Sequence, residues 1–310
     1  MAQTPTTFPV PETVPTGTTL SIQSSPNLGI ATQALKQGFE SAYDGTTVEV
    51  EVTSSDDALR ALLADQIDLA AIGRPLTAAE AKEELVTVPL ERAKIAIIIG
   101  PENPFIGNLT FDQFARMFRG EITDWSEVGG PPGPIRFVDR PENSDVRRSL
   151  SQYEVFRNAP FQTGATADPV AEDDTATVIA ALGRDGISYA IAPQVLGQSG
   201  VKIVPMHQTL PDDPRYPYSQ PRFFVFKGSP SPAVAAFLGY ATSAQGVAAL
   251  ATDQPVEVPA IAATPATPAP TPTAAPPPAE PVAPTAAEGR GGLGWWWLFP
   301  LAGLAGLVWA

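Results

Sequence analysis

Cysteine is absent from these 310 residues, and histidine occurs once, at position 207. The first absence removes disulfides, thiolate metal sites and thiol nucleophiles; the second removes most imidazole ligation and proton-relay chemistry. His207 itself reads as a loop residue. Missing cysteine leaves the compartment open, because a core of this size does not need a disulfide staple. Basic side chains are also scarce: 19 Lys and Arg against 33 Asp and Glu give a formal net charge of −14. That balance repels phosphodiester backbones and anionic membrane surfaces over long range, which argues against a nucleic-acid partner. The acidic doublets Asp56-Asp57, Glu83-Glu84, Asp173-Asp174 and Asp212-Asp213 fall at expected helix starts or loops, without the spacing of a calcium loop. They read as caps and solvated charge rather than metal ligands. No nucleophile–base pair can be assembled, so neither an enzyme nor a cofactor is expected.

The two ends differ from the middle. Residues 1–16 contain no basic stretch followed by an apolar one, so no signal peptide is written there; they read as a disordered tail of the kind found just beyond a cleavage site. Residues 255–292 are rich in Pro, Ala and Thr, with ten prolines between Val256 and Gly289. Such a composition cannot form a core and favours extended polyproline II, a stiff disordered stalk of about 100 Å at 3.1 Å per residue. Residues 293–310 are apolar and uncharged, with Trp295, Trp296 and Trp297 at one end and Trp309 at the other. This pattern predicts a C-terminal hydrophobic helix that spans a membrane, its tryptophans at the two interfaces.

Between the tails, residues 17–254 alternate short β-rich runs with amphipathic helical ones, the pattern of an α/β domain. Thr18–Ile22, Thr47–Val52 and Ile67–Ile72 read as strands, and each leads towards a helix start rich in hydroxyls or acids: Ser24-Ser25 after the first, Ser54-Ser55-Asp56-Asp57 after the second. Lys94–Ile99 reads as a buried strand, Leu109–Phe118 as a helix with Phe111, Phe114 and Phe118 on one face, and Pro134–Asp139 as a strand leading into Arg140. Ser149–Phe156 reads as helical. In open α/β sheets, ligands sit beyond the carboxyl ends of the strands, where helix N-termini offer free N–H groups. Hydroxyl-rich turns at two such ends suit an oxyanion.

One segment is more specific than the rest. Phe118-Arg-Gly-Glu-Ile-Thr-Asp-Trp125-Ser-Glu-Val-Gly-Gly130, followed by Arg140 and Ser144-Asp145, resembles the F-x-G-x-I-x-x-W-x-x-h-G-G … R-x-x-x-S-G-T segment of the phosphate-binding proteins that serve ABC transporters. Asp173–Leu182 with Gly186–Ile191, Tyr216–Phe226, and Pro232–Leu250 resemble later segments of the same family, in the same order. The resemblance implies a two-lobed periplasmic-binding-protein-like α/β fold with a cleft between the lobes: residues 17–93 and 211–254 in one, 94–210 in the other. It also implies an extracytoplasmic protein that binds phosphate or a related oxyanion for ABC-type uptake or for sensing, with an ABC permease or membrane sensor as partner.

Carried onto this sequence, the implied ligand-binding residues are Ser24 and Ser25 on the first loop, Ser54 and Ser55 at the second helix start, and Arg140 with Ser144 on the other lobe. The serines also suit plain helix capping, and Arg140 also suits an ion pair with Glu142 or Asp145. Departures from the family pattern bear on the ligand. Its S-G-T becomes Ser144-Asp145-Val146, which sets a carboxylate near the anion. Its S-D-x-P-L becomes Ile72-Gly73-Arg74-Pro75-Leu76, which loses the aspartate that accepts a proton from phosphate. Discrimination between phosphate and sulfate is accordingly expected to be weak. Arg74 is expected to bind the anion, to pair with Asp145, or to face solvent. The alternative function is a ligand-degenerate copy of the fold acting as a membrane-tethered envelope interaction module.

Overall fold

The structure, a computed structural model, describes residues 8–251. The Pro-rich stalk and the C-terminal hydrophobic helix expected from the sequence lie outside the described residues. In chain order the elements are β1 (Thr19–Ser24), α1 (Pro26–Ala42), β2 (Thr47–Val52), α2 (Ser55–Leu63), β3 (Leu69–Ile72), β4 (Leu85–Ile99), α3 (Phe111–Phe118), β5 (Arg136–Asp139), α4 (Asp145–Leu150), α5 (Glu154–Arg157), β6 (Ala167–Pro169), α6 (Thr175–Leu182), β7 (Gly186–Ile191), β8 (Lys202–Val204), β9 (Ser219–Lys227), α7 (Pro232–Ala241) and α8 (Ala244–Ala251).

The strands pair in the order β2-β1-β3-β9-β4-β7-β5-β6, with β8 also on β4. β1, β2 and β3 run parallel, which places the carboxyl ends of β1 and its two neighbours at one edge. β4 does double duty. Leu85–Leu90 pair antiparallel with Arg222–Lys227, the register shifts between Leu90 and Ala93, and Ile95–Ile99 then pair with β7 while Ile97–Ile99 also pair with β8. The ladder therefore does not break between the two halves of the molecule, as separate sheets would require; the change of neighbours takes place within one strand.

Two main apolar cores flank that strand. One gathers Leu20, Ile22, Leu35, Phe39, Phe224 and Phe237 from β1, α1, β9 and α7. The other gathers Ile97, Phe114, Phe118, Phe137, Tyr189 and Tyr218 from β4, α3, β5, β7 and the approach to β9. The phenylalanine spacing of α3 works as its period requires for Phe114 and Phe118, which are fully buried and edge-on to Phe156, while Phe111 is only partly covered. A capping box, Thr110 with Gln113, starts this helix.

Three expectations are corrected. The first 16 residues are not all a loose tail: Phe8 is buried edge-on against Phe226, Tyr43 donates to the Pro11 carbonyl at 2.8 Å, and a Cβ on Gly239 would lie 2.1 Å from the Pro9 carbonyl oxygen. An aromatic ring and a glycine gap dock this segment on α7. The strand expected to begin at Lys94 begins nine residues earlier, at Leu85, because Leu85–Leu90 pair with β9 and bury Leu85 on one face and Val88 on the other. The helix expected over Ser149–Phe156 is two short ones, α4 and α5, broken at Ser151–Tyr153.

Candidate functional site

At the strand ends, the chain turns into two helices. Ser25 precedes α1, its N–H bonded to the Ala71 carbonyl at 2.8 Å, which pins the β1 end to the β3 end. Ser54 caps α2 by accepting from the Asp57 N–H at 3.1 Å, and this leaves Ser55, the first helical residue, with a buried hydroxyl. Gly73 follows β3 directly.

Opposite these three stands Asp145, placed at the start of α4 by the Ser144 cap. Its side chain is almost wholly buried. Oδ2 accepts from the Ser55 hydroxyl at 2.5 Å and from the Gly73 N–H at 2.9 Å. Oδ1 is buried with no hydrogen-bond partner among the described residues. Burial pushes the carboxyl up, against the lowering by its Ser55 and Gly73 hydrogen bonds. Gly73 is required here for space: a Cβ would lie 1.8 Å from Gln220 Nε2 and 2.8 Å from Asp145 Oδ2. Gln220 donates to the Gly73 carbonyl at 3.0 Å, while its own Oε1 and the Ser25 hydroxyl are buried without partners.

The guanidinium groups lie elsewhere. Arg74 does not pair with Asp145: it donates to Asp56 at 2.7 and 3.0 Å and to both oxygens of Glu80 at 2.8 Å. Arg148 makes a two-pronged contact with the same Asp56, both bonds 2.8 Å. Arg148 first and Arg74 after it hold the Asp56 carboxyl down at about 2, and Arg74 does the same to Glu80, also at about 2. Arg140 is engaged by protein groups as well, and its partners are not Glu142 or Asp145. It is buried and donates to the Tyr189 carbonyl at 3.1 Å, to Asp173 at 2.8 Å and to the Thr175 hydroxyl at 3.1 Å. Behind it, Asp139 accepts from Tyr189 at 2.6 Å and from Arg147 at 2.8 Å.

A family model described as a PBP superfamily domain matches residues 9–245. The chain belongs to the PBP superfamily. Among curated proteins it is similar to the phosphate-binding protein PstS of Borreliella burgdorferi, 26% identical over 40% of this chain and 44% of that one. It is also similar to PstS of Bacillus subtilis, 29% identical over 34% of this chain and 35% of that one. The matched part thus spans less than half the length of either relative. Among solved structures, a putative phosphate ABC transporter substrate-binding protein with bound phosphate from Clostridium perfringens superposes with a TM-score of 0.69 at 21% identity, over 76% of this chain and 98% of that one. An ABC-type phosphate transport receptor from Vibrio cholerae gives 0.61 at 21% identity, over 76% and 98%. At that identity the structures speak for the two-lobed α/β fold alone. Both curated relatives are named as binding proteins, in line with the non-enzymatic reading of the sequence.

Of the residues singled out in the sequence of this PBP domain, Ser55 and Asp145 meet directly, and Ser25 is joined to the same strand ends. Ser54 is a cap. Ser24 bonds the Thr32 hydroxyl at 2.9 Å inside α1, and Ser144 caps α4. The Trp125 segment, the most specific motif, is scaffold: Trp125 is buried against Phe105, Asp124 and Glu127 form a capping box, and Gly129 closes the turn with φ of 84°. Gly73 and Gln220 were not foreseen as site residues. The sequence did carry a signal for Gly73, since a missing side chain at 73 and a new carboxylate at 145 are complementary changes.

Proposed function

We propose that this protein is an extracytoplasmic receptor for a tetrahedral oxyanion of the phosphate class, serving ABC-type uptake or a membrane sensor and tethered through its C-terminal hydrophobic segment. The observation that carries this reading is the fate of the Asp145 carboxylate. An oxyanion group is already cradled by a hydroxyl at a helix start and a backbone N–H at the ends of parallel strands, without a cation in direct contact. Donors so placed stabilise a dehydrated anion inside an acidic protein, because N–H and O–H dipoles and the helix N-terminus do the work that net charge does elsewhere. The names of the curated relatives supply the phosphate class. Residues 17–93 and 211–254 form one lobe and 94–210 the other in this reading, with β4 and β9 as the joint and the cleft closing by rotation about them.

The same contact supports a second reading. If the tethered carboxylate never leaves, the cleft is permanently filled and the protein is a ligand-degenerate interaction module. Calorimetric titration of the full chain with inorganic phosphate separates the two. Saturable binding is the outcome expected of the receptor; no binding by the natural chain, with binding by Asp145→Gly, is the outcome of the filled cleft.

A further inference from the structure

Two side chains of α4 stand one turn apart on one face, Asp145 and Arg148, and both reach the start of α2. Two consecutive residues there receive them. Ser55 donates to Asp145 Oδ2, and Asp56 takes Arg148 in a two-pronged ion pair, Nη1 to Oδ1 and Nη2 to Oδ2. α2 follows β2 at one edge of the sheet and α4 follows β5 near the other, beyond β9 and β4, so these contacts bridge the two lobes. Each half of the ion pair is oriented from its own side. Arg74, itself buried, donates twice to Asp56 Oδ1 and is gripped by both oxygens of Glu80, all within residues 56–80. The Glu142 carbonyl holds Arg148 Nε at 3.2 Å. An ordinary surface pair is worth little because two long side chains must be immobilised to make it, and here much of that immobilisation precedes the contact. Asp56, Glu80, Arg74 and Arg148 balance in charge, so the cluster neither draws in nor repels an anion at long range.

Resting on the receptor reading above for its lobes and its ligand, we propose that Arg148 is a positioning residue: its pairing with Asp56 is a latch between the lobes, which sets how long a bound oxyanion stays rather than how fast it arrives. An anion held between the lobes leaves when they part, and each parting breaks both prongs of the pair. Arrival takes place with the lobes apart and the latch undone. The pair therefore lowers koff and leaves kon as it is. The neighbouring Asp145–Ser55 bridge cannot do the same, because a ligand that takes the donors of Ser55 and Gly73 competes with Asp145 for them. The Arg148–Asp56 bridge uses none of those donors and stays made while the ligand is held.

The chain has no cysteine, so Ser41→Cys near the end of α1 and Asn158→Cys after α5, both exposed and on opposite lobes, each take one spin label. The test measures the distance between the labels in the full chain by double electron–electron resonance, without ligand and with inorganic phosphate, and the rate constants for phosphate by stopped flow. Arg148→Met keeps the length of the side chain and removes its charge. It is expected to shift the ligand-free closed-to-open ratio about 10-fold towards open, and to raise koff by about the same factor with kon unchanged. Asp56→Asn breaks the same pair from the other lobe while Glu80 keeps Arg74, and serves should the methionine variant not fold. The double variant is expected to do no more than either alone, since each breaks one shared contact; effects that add would show two separate structural roles and overturn the latch. An unchanged distance distribution or an unchanged koff in folded variants also overturns it, and leaves the receptor standing. Absence of phosphate binding overturns the receptor reading, and the ligand-free distances then decide the latch alone.

Discussion

Two buried charges of opposite sign, five residues apart, have been treated in opposite ways. Arg140 is enclosed with each of its three guanidinium nitrogens bonded, to the Tyr189 carbonyl, Asp173 and the Thr175 hydroxyl. Asp145 is enclosed with one oxygen engaged and the other facing nothing. The Arg140 network ties the end of β5 to β7 and to the start of α6. An unfinished one at the end of parallel strands is where a ligand has something to contribute. Buried charge alone thus does not mark a site; the unpaired valence does.

The most severe way to break this comparison is Arg140→Ala. If Arg140 is architecture, truncation strands Asp173 and the Tyr189 carbonyl and costs about 3–5 kcal/mol of stability, read from the urea midpoint. A loss under about 1 kcal/mol together with abolished phosphate binding would return Arg140 to the ligand. A smaller effect with the opposite sign sharpens the other side. Asp145→Asn removes a buried charge that has no cation beside it, and the variant is expected to be more stable than the natural chain at pH 7 by about 1 kcal/mol. A drop in its thermal midpoint would show that the carboxylate is better compensated than its contacts indicate.

The subtlest effect is in the pH profile, where the two kinds of carboxylate pull apart. Asp145 has its folded pKa raised by burial, so the penalty it imposes is full above that value and fades as pH falls through it towards the ordinary value. Asp56 and Glu80, held at about 2, contribute stability that is full above their unfolded values near 4 and is lost as pH falls from there. The urea midpoint should therefore rise from neutral to mildly acidic pH and fall steeply below about pH 4. In Asp145→Asn the rise should disappear and the fall remain.

Much of the fold was legible because periodicity and caps act locally. The alternation of Val48 and Val50, the Asp174 cap and the ring spacing of Phe114 and Phe118 each state their own geometry within a few residues. The site was legible only in part, because its pairings are long-range and a charge does not announce its partner. Arg74 chose Asp56 and Glu80 over Asp145; Arg140 chose Asp173, 33 residues downstream, over the nearer Glu142. Both choices follow from topology: the start of α2 lies beside the end of β3, and the start of α6 beside the end of β5, whatever their distance in sequence.

Asp56 has a wider consequence than its role as a partner of two arginines. It binds Arg148, and with Glu80 it binds Arg74, so that both positive charges are neutralised away from the Asp145 carboxyl. Were that carboxylate neutral, Arg148 would lose its acidic partner while Glu80 would still hold Arg74, and the balance of charge beside the strand ends would change. The electrostatics at these strand ends thus depend as much on where positive charge is sequestered as on which groups stand there.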